Sequence, residues 1–267
     1  IFSIGLFKKV VIADTFAVWA TNGFDVATTL NLFAAWATSL SYTFQLYFDF
    51  SGYTDMAIGL ALLFNIRLPV NFNSPYKATN IQDFWRRWHI TLSRFLRDYV
   101  YIPLGGNRKG EFRTYNNLMA TFVIGGLWHG AGWTFVFWGF LHGLALIIQR
   151  FWGKLGFKLW TWLAWLITFN FVNIAWVFFR AKEWESAIKV LSGMFSLKNL
   201  DLNFNYLQIL SILLGFAILL LFKNTMNIFR SNFKFNLVEM LLFINSMIVS
   251  ILVISLGGSS EFLYFNF

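Results

Sequence analysis

Residues 80–110 read NIQDFWRRWHITLSRFLRDYVYIPLGGNRKG, and residues 125–143 read GGLWHGAGWTFVFWGFLHG. All three histidines of the chain, His89, His129 and His142, lie in these two stretches, together with a dense run of arginine. Most of the remaining sequence is apolar and offers few reactive side chains. These two stretches therefore govern both the expected fold and the candidate chemistry.

The composition is that of a membrane protein. Of 267 residues, 58% are hydrophobic and only 12% are charged, with a mean hydropathy of +0.59. A soluble domain carries about 25% charged residues. The net charge of +9 comes from basic residues between apolar runs, where they act as topology signals and contact lipid headgroups. We therefore expect membrane lipid as a partner and no nucleic acid.

Disulfide chemistry is excluded on simple grounds, and metal binding is not expected. The chain has no cysteine, so neither a disulfide nor a thiolate metal site can form. The three histidines follow no known zinc-ligand spacing. We predict no metal and no tightly bound cofactor.

The order of apolar runs predicts an all-α, polytopic membrane protein with one domain, 1–267. Membrane helices are expected at 31–48, 114–128, 131–150, 158–179, 206–222 and 236–257, and an amphipathic surface helix at 183–198. Residues 1–20 are expected to form a helix that enters the membrane or lies along it. The basic segments 77–113, 150–158 and 223–234 are expected to face the cytoplasm. Because the chain opens inside an apolar run, we expect further N-terminal spans in the full-length protein.

A polar group follows the second apolar run. It consists of Asp49, Ser51, Thr54 and Asp55, and the apolar run 56–66 comes next. Ser51 or Asp55 could cap a helix that begins near residue 56. Alternatively, Asp49 and Asp55 could face a polar cavity and contact substrate.

The segment 67–79 is rich in proline and asparagine and predicts a loop, and one helix is expected from about 80 to 101 with Asn80 as its N-cap. At helical spacing its apolar stripe would comprise Phe84, Trp88, Leu92, Phe95 and Tyr99. Its polar stripe would comprise Arg86, His89, Ser93 and Arg97. Such a helix is too charged to cross lipid and should lie in the interface or enter a protein-lined cavity.

Further support for that helix comes from charge pairs. Asp83 with Arg87, and Arg94 with Asp98, are spaced for i,i+4 ion pairs. The loop after the helix, 102–113, is basic and rich in turns. Within it, residues 105–108 (GGNR) form a weak candidate for an anion-binding turn that ends on Arg108.

His129 is the strongest candidate for chemistry. It lies in GGLWHGAG (125–132), where glycines could leave room for a substrate or simply let helices pack closely. An ionisable group at membrane depth suggests function, and imidazole suits proton transfer near neutral pH. His89 could bind an anionic donor, assist proton transfer or be a solvated interfacial residue. His142 faces another direction on the next helix and is expected to be a packed polar residue.

Three long motifs resemble the membrane-bound O-acyltransferase family: 45–76, 83–108 and 126–143. They are most similar to its bacterial polysaccharide branch, the alginate and peptidoglycan O-acetyltransferase membrane subunits. The D-alanyl transfer protein of teichoic acids is a more distant likeness. GLFKKVVIAD (5–14) and the terminal FLYFNF match as well, so the resemblance covers nearly the whole chain.

The resemblance implies a helical bundle around a central tunnel, with interfacial or re-entrant helices, in the cytoplasmic (inner) membrane. By motif, the histidine of GLWHGA is His129, the presumed catalytic residue, and that of WRRWH is His89, the second family histidine. The family moves an acyl group from a cytoplasmic thioester toward an extracytoplasmic acceptor. The donor would be acetyl-CoA or a carrier-bound acetyl thioester, the latter with an acyl carrier protein as partner. An SGNH-type periplasmic protein would complete transfer to the polysaccharide.

These implications give a specific hypothesis. His129 acts as general base, assisted by backbone N–H groups around Gly130. The adjacent Trp128 is expected to contact substrate. Arg86, Arg97 and Arg108, with Ser93, would attract the anionic donor. The alternatives are a non-enzymatic transporter or channel for an acyl donor or glycan, a D-alanyl transferase, and a scaffold subunit whose partner supplies the chemistry.

Overall fold

The computed structural model describes residues 1–197, 205–225, 227, 236–257 and 262–263, and within these residues every regular element is a helix. The α-helices are α1 (Phe2–Phe7), α2 (Asp14–Thr21), α3 (Leu32–Leu63), α4 (Ile81–Arg87), α5 (Ile90–Leu96), α6 (Glu111–His129), α7 (Trp133–Leu155), α8 (Thr161–Arg180), α9 (Trp184–Phe195), α10 (Tyr206–Leu221) and α11 (Leu237–Ser255). Three π-helical segments, Lys8–Ala13, Asn22–Val26 and Arg97–Tyr101, continue α1, α2 and α5. The predicted all-α fold is confirmed.

The central element is α3, a helix of 32 residues that begins at the N-cap Asn31. Residues 41–52 of α3 are buried without interruption, so other helices surround it on all sides. The predicted break near residues 49–55 is wrong, and neither Ser51 nor Asp55 caps a helix. The helix continues because Lys9 and Lys8 neutralise Asp49 and Asp55 inside the protein.

The N-terminal helical run packs lengthwise against α3. The contact is close because glycines face each other: a Cβ atom added to Gly5 would lie 2.6 Å from the carbonyl oxygen of Gly52. At the same interface the Lys8 and Lys9 side chains reach the buried carboxylates of α3. Small residues and ion pairs therefore hold these two elements together.

The loop 67–79 is confirmed, with one 3₁₀ turn at Pro75–Lys77. Tyr76 anchors it to two helices. Its hydroxyl donates to the carbonyl oxygen of Thr43 in α3 (2.8 Å) and accepts from Nε1 of Trp176 in α8 (3.1 Å). The loop therefore fixes the start of α4 against the centre of the bundle.

The single helix predicted from 80 to 101 is wrong. The chain forms α4, leaves the helix at Trp88 and His89, and resumes as α5. The two predicted stripes therefore do not persist: Phe84 and Trp88 are buried, whereas Phe95 and Tyr99 are exposed. A backbone strain at His89, described below, interrupts the 3.6-residue period.

Two of the local predictions for this segment are confirmed. Asn80 caps α4, since its Oδ1 accepts from the backbone N–H of Asp83 (2.8 Å), and Asp83 pairs with Arg87 (2.9 Å). The other predicted pair does not form, because Asp98 pairs with Arg97 (2.7 Å) rather than with the arginine four residues earlier.

Two described helices, Trp133–Leu155 and Thr161–Arg180, are long and apolar enough to cross a membrane. At 1.5 Å per residue they extend for about 35 Å and about 30 Å. Tyr206–Leu221 and Glu239–Ser255 are apolar but shorter, so the other predicted spans stay predictions. The predicted surface helix 183–198 corresponds to α9. Most of the basic segment 223–234 and of the terminal FLYFNF lies outside the described residues.

Candidate active site

His129 is the last residue of α6, and the short connection to α7 begins at Gly130. Its side chain is buried, with Trp138 and Phe179 edge-on to the imidazole at centroid distances of 5.3 and 4.9 Å. The neighbouring glycines serve packing: a Cβ on Gly126 would lie 2.3 Å from a backbone oxygen of α7, and one on Gly130 would lie 2.7 Å from the ring of Phe135. Of the two interpretations of these glycines, the structure shows close helix packing, and this contact ends at the imidazole.

His89 lies in the turn between α4 and α5 with a left-handed backbone (φ +39°, ψ +59°). A non-glycine residue in this region costs about 1–3 kcal/mol and persists only where its surroundings enforce it. Two backbone hydrogen bonds to the 67–79 loop do so: Ile90 N–H donates to Asn71 O (3.0 Å), and Asn73 N–H donates to Arg87 O (2.9 Å). Such strain is typical of functional sites.

The side chain of Asn71 orients the His89 ring. Its Oδ1 accepts from the hydroxyl of Thr91 (2.6 Å) and lies 3.2 Å from His89 Nδ1. Because Oδ1 can only accept, the network assigns the ring proton to Nδ1 and a lone pair to Nε2. Burial also lowers the pKa of His89 to about 4, so the ring is neutral at pH 7. The neutral ring therefore carries a hydrogen-bond acceptor at Nε2.

The two histidines line the same buried pocket, although they are far apart in sequence. The pocket has a volume of about 10 Å³, which is the space of one water molecule. Its other lining residues are apolar or aromatic: Leu46, Trp85, Trp88, Leu92, Trp138, Trp176 and Phe179. The structure therefore unites His129 with His89 and surrounds both with rings that exclude water.

A much larger cavity, of about 590 Å³, lies beside this pocket and is strongly basic. Four arginines line it, Arg86, Arg94, Arg97 and Arg150, and no acidic side chain is among its described lining residues. Ser93 also lines it. Arg108, by contrast, is not among its lining residues, so one of the predicted donor contacts lies elsewhere.

The remaining predicted site residues are outside both cavities. Trp128 is 59% exposed and touches His129 only edge-on (4.9 Å). Asp49 and Asp55 are buried in ion pairs with Lys9 (2.9 Å) and Lys8 (2.7 Å). These two carboxylates thus hold the N-terminal helices to α3.

His142 is fully buried, and Trp85 Nε1 donates a hydrogen bond to its Nδ1 (3.2 Å). The prediction of a packed polar residue is confirmed. In the described part of the chain, no group of three His, Asp or Glu side chains could hold a metal ion.

Sequence reasoning missed four residues of this region: Asn71, Trp85, Arg94 and Arg150. Asn71 and Trp85 lie within the family motifs 45–76 and 83–108, but their contacts are with distant segments and no local pattern predicts them. Arg94 was assigned to an ion pair on a continuous helix, and the break at His89 turns it into the cavity instead. The sequence predicts Arg150 only as the charged end of a span.

Comparison with known proteins identifies the family of the chain. The model of the membrane-bound O-acyltransferase family matches residues 1–185. A peptidoglycan O-acetyltransferase of Helicobacter pylori is 52% identical over 100% of this chain and 56% of its own length. A probable alginate O-acetylase of Pseudomonas aeruginosa is 47% identical over 82% of this chain and 43% of its own.

A teichoic acid D-alanyltransferase of Bacillus subtilis is 33% identical over 54% of this chain and 40% of its own length. The chain spans about half the length of the curated relatives it matches. The family match covers well over half of this chain and includes both His89 and His129. The chain belongs to the membrane-bound O-acyltransferase family.

Proposed function

We propose that the protein to which this chain belongs is an O-acetyltransferase of the cytoplasmic membrane. It takes an acetyl group from a cytoplasmic thioester, acetyl-CoA or a carrier-bound acetyl, and passes it on for O-acetylation of an extracytoplasmic polysaccharide of the peptidoglycan or alginate type. The observation that carries the proposal is the meeting of His89 and His129 in one buried pocket beside an arginine-lined cavity.

In this proposal an imidazole acts as general base. The acceptor hydroxyl gives its proton to the imidazole of His129 as its oxygen attacks the thioester carbonyl carbon. The carbon–sulfur bond then breaks, and the leaving thiolate takes the proton from the imidazolium, so that an ester and a thiol are formed. His89, neutral and with Nε2 unprotonated, is placed to hold or relay that proton. General acid–base help of this kind contributes about 10²–10⁴ in rate.

The cavity would bind the donor. A thioester of coenzyme A or of a carrier protein carries phosphate, and guanidinium groups bind phosphate through paired hydrogen bonds. Arg86, Arg94 and Arg150 supply such groups around a space large enough for a chain-like ligand, and Arg97 lines the same space while paired with Asp98. Trp85 and Phe122 form apolar lining that suits an uncharged thioester arm.

The wider architecture follows from the same proposal. The bundle would enclose a passage through the membrane, with α4 and α5 as interfacial or re-entrant helices beside the donor cavity. An SGNH-type periplasmic partner would receive the acetyl group and complete transfer to the polysaccharide. If the donor is carrier-bound, an acyl carrier protein would dock on the cytoplasmic side.

D-alanyl transfer is a second candidate, favoured by the 33% identical teichoic acid relative. The two differ in the acyl group: D-alanyl carries an ammonium, which an arginine-lined cavity disfavours by like-charge repulsion. This difference supports the acetyl proposal.

The test uses membranes that contain the full-length protein, with radiolabelled acetyl or D-alanyl thioester and a soluble hydroxyl acceptor. We expect label to enter the acceptor as an acetyl ester. We expect Arg86→Ala to raise the KM for the thioester, while Arg113→Ala, an exposed arginine outside the cavity, leaves it unchanged. Transfer of D-alanyl alone would replace the proposal with the second candidate. Movement of intact thioester across the membrane without ester formation would assign a transporter.

A further inference from the structure

One side chain, Trp85, belongs to both cavities. It lines the arginine cavity together with Phe122 and Leu146, and it lines the histidine pocket together with Trp88 and Trp138. Among the described residues that line either space, Trp85 is the one shared by both. Its indole therefore forms part of the wall between the proposed donor site and the two histidines.

The histidine pocket is too small for the reaction as it stands. A volume of about 10 Å³ accommodates one water molecule, and an acetyl group with its sulfur has four heavy atoms. An acetyl thioester in the arginine cavity can reach His129 only if the wall between the spaces moves. Trp85 is well placed for this movement because it lies in the last turn of α4, next to the strained turn at His89.

His142 holds Trp85 in its present position. Trp85 Nε1 donates to His142 Nδ1 (3.2 Å), which assigns the proton of the neutral His142 ring to Nε2. His142 Nε2 has no hydrogen-bond partner among the described residues, and aromatic rings, including Trp138 (4.9 Å) and Phe171 (5.4 Å), pack around the imidazole. Among the described residues, Trp85 therefore supplies the hydrogen bond to the fully buried His142 ring.

We propose that Trp85 is a gate between the donor cavity and the histidine pocket, and that His142 is the positioning residue that keeps it closed until the donor binds. This inference rests on the proposed function, because it assigns a path to the proposed donor. The closed gate keeps water in the basic cavity from entering the histidine pocket before the donor arrives. It thereby favours transfer to the acceptor over hydrolysis of the thioester.

The first test measures access to the histidine pocket and needs no activity. The 267 residues contain no cysteine, so Leu92→Cys places a single thiol of this chain in the wall of the pocket. We expect a small thiol reagent to label it slowly in the otherwise native protein. His142→Leu should label about tenfold faster, since a buried hydrogen bond contributes a factor of about that size.

His142→Asn is the matched control, because its amide oxygen can replace Nδ1 as acceptor, and we expect it to label at the native rate. Trp85→Phe, which removes the N–H donor and shrinks the wall, should label as fast as His142→Leu. Ala187→Cys, at a fully buried position in α9, reports the integrity of the fold. Equal Leu92→Cys rates in His142→Leu and the native protein would overturn the gate. Faster labelling of Ala187→Cys in the His142→Leu protein would also overturn it, because His142 would then stabilise the whole fold and not the position of Trp85 alone.

The second test compares hydrolysis with transfer. The rate of thioester hydrolysis is measured without acceptor, and the rate of transfer is measured with it. The ratio of hydrolysis to transfer should be about tenfold higher in His142→Leu and Trp85→Phe than in the native protein, and unchanged in His142→Asn. An unchanged ratio in an active protein would refute the gate and leave the proposed function intact. A native protein that neither transfers nor hydrolyses the thioester would refute the proposed function, and the labelling test would still decide whether Trp85 moves.

Discussion

Lys9 is buried between two carboxylates, and its replacement by methionine should destabilise the protein strongly. Its ammonium lies 2.7 Å from Asp14 and 2.9 Å from Asp49, and all three side chains are less than 10% exposed. Lys9→Met keeps the length of the side chain but leaves the carboxylates buried without their cation. Breaking a buried pair from one side costs about 3–5 kcal/mol. For a protein of this size the melting temperature should fall on the order of 10 °C.

The assay is thermal unfolding of the full-length protein in detergent, followed by loss of monodisperse material. Lys182→Met is the matched control, because that side chain is 76% exposed and 3.9 Å from its acidic partner, so its removal should cost only about 0–1 kcal/mol. Adding Asp49→Asn to Lys9→Met should recover part of the loss. A Lys9→Met protein that melts with the Lys182→Met control would refute the structural role of the pair. If Asp49→Asn instead raised the KM of the acceptor without lowering the melting temperature, Asp49 would be a substrate contact.

Three further predictions concern the site and its frame. Asn71→Leu should lower acetyl-transfer turnover about tenfold by releasing the His89 ring. Asn71→Asp keeps an oxygen that accepts a hydrogen bond and should retain more activity. Initial rates at saturating thioester measure both variants. Gly126→Val should abolish accumulation of folded protein, because its Cβ would lie 2.3 Å from a backbone oxygen, while Gly153→Ala, with no atom within 4 Å of the added Cβ, should accumulate normally. Arg150→Ala should raise the KM for the thioester with little change in kcat, and this increase should be smaller at high salt. Steady-state kinetics at two ionic strengths measure both effects, and a variant with the native KM would contradict the prediction.

The sequence predicts the helical class, the loop at 67–79 and the importance of His129, because apolar runs, prolines and a rare polar residue in an apolar segment are local signals. It does not predict that α3 passes unbroken through Asp49 and Asp55. That outcome depends on Lys8 and Lys9, which are distant in sequence and reach α3 only after packing. A rule that places charges at helix ends therefore fails wherever a buried partner is present.

The arrangement of the candidate site is predictable from the sequence only in part, again because the deciding contacts join residues that are distant in sequence. Helical periodicity predicts a continuous helix across His89, whose polar stripe would carry His89 and Arg86 together toward the interface or a protein-lined cavity. The Asn71 contacts instead break the helix, turn His89 inward to His129 and leave Arg86 in the basic cavity. No local pattern encodes a contact between residue 71 and residue 89. The family resemblance implies that both histidines lie near the tunnel, but the contacts that bring them together come from the tertiary structure.

The most direct measurement is the rate of acetyl transfer from a labelled thioester by the full-length protein carrying His129→Ala, compared with native protein at equal membrane content. His129 is largely buried and makes ring contacts with Trp138 and Phe179, so the melting temperature of the variant should be determined in the same preparation. The account predicts a folded variant whose transfer rate is lower by about 10²–10⁴. A folded His129→Ala protein that transfers acetyl at nearly the native rate would contradict the assignment of the histidine pocket as the active site.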